Sequence, residues 1–101
     1  MLVATITENL QKGERHLFEL QQQINDLEKT KKKEEKELII KEIDTTVALL
    51  SGGHDLIDRE LKRTDLDILE QYNFELLLKI GKKLIEDLKA AEAKVKAIVT
   101  N

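Results

Sequence analysis

Cysteine, proline and tryptophan are missing from this 101-residue chain, and glycine occurs only 4 times. Without cysteine there is no disulfide framework, no thiolate-bound metal or iron–sulfur cluster, and no thiol chemistry. Without proline, and with so little glycine, the chain lacks the punctuation that strand-and-turn folds need. Aromatic residues make up 3% of the whole, confined to Phe18, Tyr72 and Phe74. An excess of one charge is lacking too. The 20 acidic and 17 basic residues leave a net charge of −3, too weak a field to grip nucleic acid or anionic lipid. No apolar run approaches the roughly 18 residues that read as a membrane span. No secretory leader pattern is read at the start of the sequence, so a cytoplasmic location without membrane partners is expected.

What is present is helical material: 37% charged and 41% hydrophobic residues, dominated by Leu, Lys, Glu, Ile and Ala. Thr5 with Glu8 has the spacing of a capping box. After it Leu10, Leu17, Leu20, Ile24 and Leu27 trace one face of a helix. Between Lys29 and Glu37 no apolar residue occurs, a gap of about two and a half turns that marks a stutter or a break. The pattern resumes, shifted in phase, at Leu38, Ile39, Ile40, Ile43, Val47 and Leu50.

Ser51-Gly52-Gly53-His54-Asp55 is the strongest turn signal, because paired glycines end helices and Asp55 can cap the next one. It lies at the midpoint. Beyond it Leu76, Ile80, Leu84, Leu88, Ala91, Val95 and Ile98 trace another stripe, and Thr64 with Asp67 offers a second capping box. The simplest reading is a single all-α domain over residues 1–101: a long antiparallel helical hairpin, or coiled coil. One arm covers about 6–51, the turn 51–55, and the second arm about 55–99. Each arm is about 65–70 Å long at 1.5 Å per residue. In this register Lys29–Lys36 face Asp67, Glu70 and Glu75; Glu42 and Asp44 face Arg59, Lys62 and Arg63; Asp26 faces Lys79; Leu10 meets Val95. The apolar ends, Met1–Ile6 and Ala97–Thr100, come side by side and clasp. The alternative is a monomeric three-helix bundle broken near Lys31 or Thr64.

The hairpin has more apolar surface than one seam can cover. Leu38-Ile39-Ile40 and Leu76-Leu77-Leu78 are runs of consecutive apolar residues, which cover close to half of a helix circumference. Dimerisation of two hairpins into a four-helix bundle is therefore expected. The residues left for protein contact are Ile39, Ile40, Leu49, Tyr72, Phe74 and Leu77. Tyr72 and Phe74 stand two apart and cannot share a helix face.

Chemistry-bearing constellations are weak. His16 and His54 are the two histidines, and neither has a second histidine at ligand spacing. Ser51 is the lone serine, and no nucleophile–base–orienter set accompanies it. Neither a catalytic site, nor a cofactor, nor a metal is expected. The Lys29–Lys36 run is interleaved with Glu34 and Glu35 and reads as a solvated helix face rather than a nucleic-acid site. In shape the chain resembles prefoldin subunits, BAG-type co-chaperone domains, and small secreted hairpin proteins that carry Trp-X-Gly where this chain has Ser51-Gly52-Gly53. No family motif accompanies the shape. The expected function is a non-catalytic protein–protein interaction module, a self-assembling scaffold or adaptor. Its partner would be a second copy of itself or another helical protein. The alternative is a chaperone-like or secreted hairpin protein that holds a client through its apolar end.

Overall fold

A computed structural model describes residues 2–101, with side chains from Val3 onward. The chain forms three helices: α1 (Leu2–Thr30), α2 (Lys33–Leu61) and α3 (Ile68–Ala97), with no strand among the described residues. They run up, down and up as a rod of 56 × 18 × 16 Å. Its radius of gyration, 16.2 Å, exceeds the roughly 13 Å of a round domain of this length.

The three-helix arrangement replaces the two-armed hairpin, whose arms would overrun the 56 Å long axis. The paired glycines do not turn the chain. Ser51, Gly52 and Gly53 lie inside α2, and no glycine among the described residues has a positive φ. The reason is energetic. Two glycines in a helix cost about 1 kcal/mol each, whereas continuing the helix keeps Leu50 and Ile57 on the buried seam of Ile39 and Ile43. Each such burial gains about 1.5–3 kcal/mol. The chain instead reverses at Lys31-Lys32, in the segment without an apolar residue to bury. Lys31 adopts φ 54°, and its N–H donates to the Leu27 carbonyl at 2.7 Å. The helix thus breaks where breaking it exposes nothing.

The second connection runs from Lys62 to Asp67. Arg63 folds back on both sides of it, donating to Glu60 at 2.7 Å and to Asp65 at 3.0 and 2.7 Å. The cap of α3 is Asp67, whose Oδ1 accepts from the Glu70 N–H at 2.7 Å, three residues beyond the Thr64 that the capping pattern suggested. At the other end of the sequence α1 is already helical at Leu2, ahead of the expected start at Thr5.

The core follows heptad logic. Phe74, Leu77, Gly81, Leu84, Leu88, Ala91 and Val95 are the buried residues of α3, alternating by 3 and 4 as a coiled-coil seam does. They close on Ile6, Leu10, Leu20, Ile24 and Leu27 from α1 and on the α2 seam. Since α1 and α3 run parallel, Leu10 lies against Gly81, Gly13 against Leu84, and Glu28 pairs with Lys94 at 3.6 Å. The hairpin pairings are therefore not formed: Leu10 does not meet Val95, and Lys36 faces the end of α3 rather than its start. The Lys36 Nζ donates to the carbonyls of Ile98 (2.7 Å) and Lys96 (3.2 Å), and the Asn101 N–H donates to the Lys31 carbonyl at 3.0 Å. The two apolar ends consequently lie at opposite ends of the rod and do not clasp. Met1 lies outside the described residues.

Candidate functional site

The site follows from the way α1 and α2 meet. Leu10 and Leu17 on α1 are seven residues apart, and the seam position between them is occupied by Gly13. Lacking a side chain, Gly13 lets the helices approach so closely that an added Cβ would stand 2.9 Å from Leu84 Cδ2 and 3.5 Å from Leu50 Cδ2. On the outer side, away from α3, a hollow of about 660 Å³ lies between α1 and α2, with Gly13 among its lining. Asn9, Lys12, Gly13 and His16 form one wall, on one face of α1 at helical spacing. The opposite wall runs from Leu38 through Lys41, Glu42, Thr45 and Thr46 to Leu49 and Leu50. A smaller hollow beside Leu38 and Glu42 extends it toward Asp26 and Glu35, and the two form a groove on the α1–α2 face. A small void at Leu49, Leu50 and Ile57 lies instead inside the bundle, against Leu77 and Gly81 of α3.

Its lining is apolar with charged rims. Leu49 and Leu38 are 73% and 60% exposed. The hydroxyls of Thr45 and Thr46 donate to the Lys41 and Glu42 carbonyls of their own helix at 2.9 and 2.8 Å. His16 reaches toward Glu42 and Glu19, at 3.9 Å each. The Oε2 of Glu42 is buried, and no hydrogen-bond donor among the described residues reaches it. Lys12 pairs with Glu8 at 3.3 Å on the surface.

The interaction residues expected from sequence divide into two groups. Ile39, Phe74 and Leu77 are in the core, at 4%, 4% and 7% exposure, and Ile40 is half-buried against it. The third helix covers what a two-helix hairpin would have left bare, so these residues are not a free surface. Leu49 and Tyr72 are exposed, Tyr72 by 61%. As the two-residue spacing requires, Tyr72 points out where Phe74 points in. Of the six, Leu49 alone lines the main hollow of about 660 Å³. Leu38 and Gly13 were missed. The three-residue run Leu38-Ile39-Ile40 shows that one member must face outward, and the Leu10–Leu17 gap marks Gly13, but neither signal says which face lacks a neighbour.

Elsewhere the titratable groups serve local structure. His54 lies on α2, not in a turn, 3.3 Å from Asp58. The Arg63 guanidinium, bonded to Asp65 and Glu60, is held above its usual range, and Asp65 is held below its own by the same bond. Lys83 is raised by its hydrogen bond to Asp87. Between α2 and α3, Glu92 sits against the Asp44 carboxyl, which raises its pKa, with burial second; Lys96, 3.5 Å away, opposes the shift. No group of three or more His, Cys, Asp or Glu side chains among the described residues is placed to hold a metal. Among the described residues no helix is long and apolar enough to cross a membrane.

An up-down-up bundle with a deep α1–α2 groove places the molecule among elongated all-α three-helix proteins. Within that class the chain belongs to the mite allergen Blo t 5 family, whose model matches residues 1–101. It is 47% identical to mite allergen Der p 5 of Dermatophagoides pteronyssinus, over 97% of this chain and 74% of that protein. To mite allergen Blo t 5 of Blomia tropicalis it is 43% identical, over 99% of this chain and 75% of that protein. The crystal structure of dust mite allergen Der p 5 superposes with a TM-score of 0.82, covering 97% of both chains. An NMR structure of a major dust mite allergen gives 0.80 at 40% identity, over 91% of this chain and 96% of that one. These relatives are named as allergens and not as enzymes.

Proposed function

We propose that this member of the allergen family is a non-catalytic protein–protein interaction module that docks a helical partner, including a second copy of itself, on its α1–α2 face. The observation that supports the reading is the groove itself. Two large apolar side chains, Leu38 and Leu49, stand exposed on one wall of a continuous hollow floored by Gly13 and Leu50. Isolated exposed leucines are ordinary on protein surfaces, but apolar side chains grouped along a concave face mark interaction sites. A partner helix laid there would extend the three-helix bundle to four.

The test is a Leu38→Asp, Leu49→Asp double variant compared with the wild type by sedimentation and by pull-down. Loss of self-association and of captured partner, with circular dichroism unchanged, is expected. Retention of both assigns the surface elsewhere. A second reading, an apolar end that holds a client, is favoured by Ile68, Leu69 and Tyr72, all exposed in the first turns of α3. Leu69→Asp with Tyr72→Asp would remove client capture on that reading and leave the groove variant's behaviour untouched.

A further inference from the structure

We infer that the occupant of the α1–α2 groove is an amphipathic helix carrying carboxylates beside its apolar stripe and a basic residue at the end nearest the α1–α2 connection. The inference rests on the interaction reading above and goes beyond it by naming the chemistry of the partner. Both walls of the groove are helices whose backbone groups are already bonded within α1 and α2. An extended peptide would therefore bury N–H and C=O groups with nothing to meet them, while a helix brings its own backbone satisfied. The apolar lining, Leu38, Leu49 and Leu50, spans three turns of α2, and the threonines between them turn their hydroxyls back to their own helix.

The charges then select the partner. At the centre of the groove Lys12 and Lys41 stand on opposite walls. Lys12 has only the exposed Glu8 for company, and no ion pair of Lys41 is formed among the described residues. Glu42, the acidic residue at this level, is turned toward His16. Toward the α1–α2 connection the sign changes, because Asp26 and Glu35 line the hollow there; Asp26 forms no ion pair among the described residues, while Glu35 accepts from the Thr30 hydroxyl at 2.7 Å and stands 4.0 Å from Lys32. Carboxylates on the two flanks of the partner meet Lys12 and Lys41, and its cation meets Asp26 and Glu35. Placing the partner's N-terminus at that acidic end also aligns its helix dipole favourably.

The probe is a synthetic helical peptide of about 18 residues, long enough for five turns, with leucines at i, i+3, i+4 and i+7. Its central flanks carry Glu and its first turn Lys. A second peptide of the same composition exchanges those Glu and Lys positions. Binding to the intact protein is measured by fluorescence anisotropy. The first peptide should bind on the order of tenfold more tightly than the second. That preference should fade when ionic strength rises from about 0.01 to about 1 M, where the Debye length falls from about 30 to about 3 Å. Lys12→Glu with Lys41→Glu should invert it. Equal binding of the two peptides, no binding of either, or a preference that survives the charge reversal overturns the inference. So does uptake of a fluorescent fatty acid by the groove in place of both peptides. Leu49→Asp separates the two claims. If it abolishes self-association or partner capture while charge reversal changes nothing, only the chemistry named here fails. If peptide binding and association both survive it, the interaction reading of the groove fails as well.

Discussion

Glycine is the residue whose meaning in this chain depends most on its surroundings. Gly52 and Gly53 have no atom within 4 Å of an added Cβ and lie in a helix interior, so alanine there removes backbone freedom from the unfolded chain at no steric cost. Gly52→Ala and Gly53→Ala should each stabilise the protein by about 0.5–1 kcal/mol, read as a rise in the thermal midpoint. Gly13→Ala should come out at least about 1 kcal/mol less favourable than Gly52→Ala, since the buried Leu84 methyl 2.9 Å from the new Cβ has to move. The converse holds at Lys31. A left-handed conformation costs an L-residue roughly 1–2 kcal/mol, and Lys31 holds φ 54°. Lys31→Gly should therefore raise stability by about 1 kcal/mol in urea titrations, with the Asn101 hydrogen bond retained because it uses the backbone carbonyl.

At the scale of the helices, two side chains tie α2 to α3. Lys36 supplies the end of α3 with a donor for two carbonyls, which also places a cation at the negative end of that helix dipole. Lys36→Met should cost about 0.5–1 kcal/mol and speed amide exchange selectively in the last turn of α3. Glu92 acts in the opposite sense. Its carboxyl, against Asp44, takes up a proton more readily in the folded state than the ordinary value of 4.5 would allow. The folded state thus binds more protons than the unfolded state as pH rises above 4.5, and stability falls across that window up to the raised folded value. Glu92→Gln should flatten the decline and raise stability near neutral pH, less the small contribution of the exposed Lys96 pair. Denaturant midpoints measured at pH 4, 5, 6 and 7 test the sign; a decline unaffected by the substitution would assign it to other groups.

For the whole molecule, the third helix decides which apolar residues are core and which are surface. Leu77→Asp places a charge at a position 7% exposed and should unfold the protein, since an unpaired buried charge costs several kcal/mol against a total stability of about 5–15 kcal/mol. Leu49→Asp, at 73% exposure, should change stability by no more than about 0.5 kcal/mol. Far-ultraviolet circular dichroism separates the outcomes. Equal damage from both would mean that Leu49 is covered in solution.

Much of this architecture is legible in the amino-acid sequence. The absence of proline and cysteine, the stripe from Leu84 through Leu88 and Ala91 to Val95, and the apolar gap from Lys29 to Glu37 specify long helices and one of the two breaks, whereas Leu76 and Ile80, at the head of the same stripe, are exposed and yield the seam to Phe74, Leu77 and Gly81. These are local properties, set by propensity and periodicity along a single helix, and no neighbour is needed to read them. Gly52-Gly53 was misleading for the same reason: local chemistry favours a turn there, and only the burial of Leu50 and Ile57 against two other helices outweighs it. The parallel pairing of α1 with α3, the separation of the chain ends, and the groove between α1 and α2 arise when three stripes close on one another. A stripe records that a face must be buried, but what covers it is decided by packing, where a few kcal/mol of apolar contact across the bundle override the preferences of single residues.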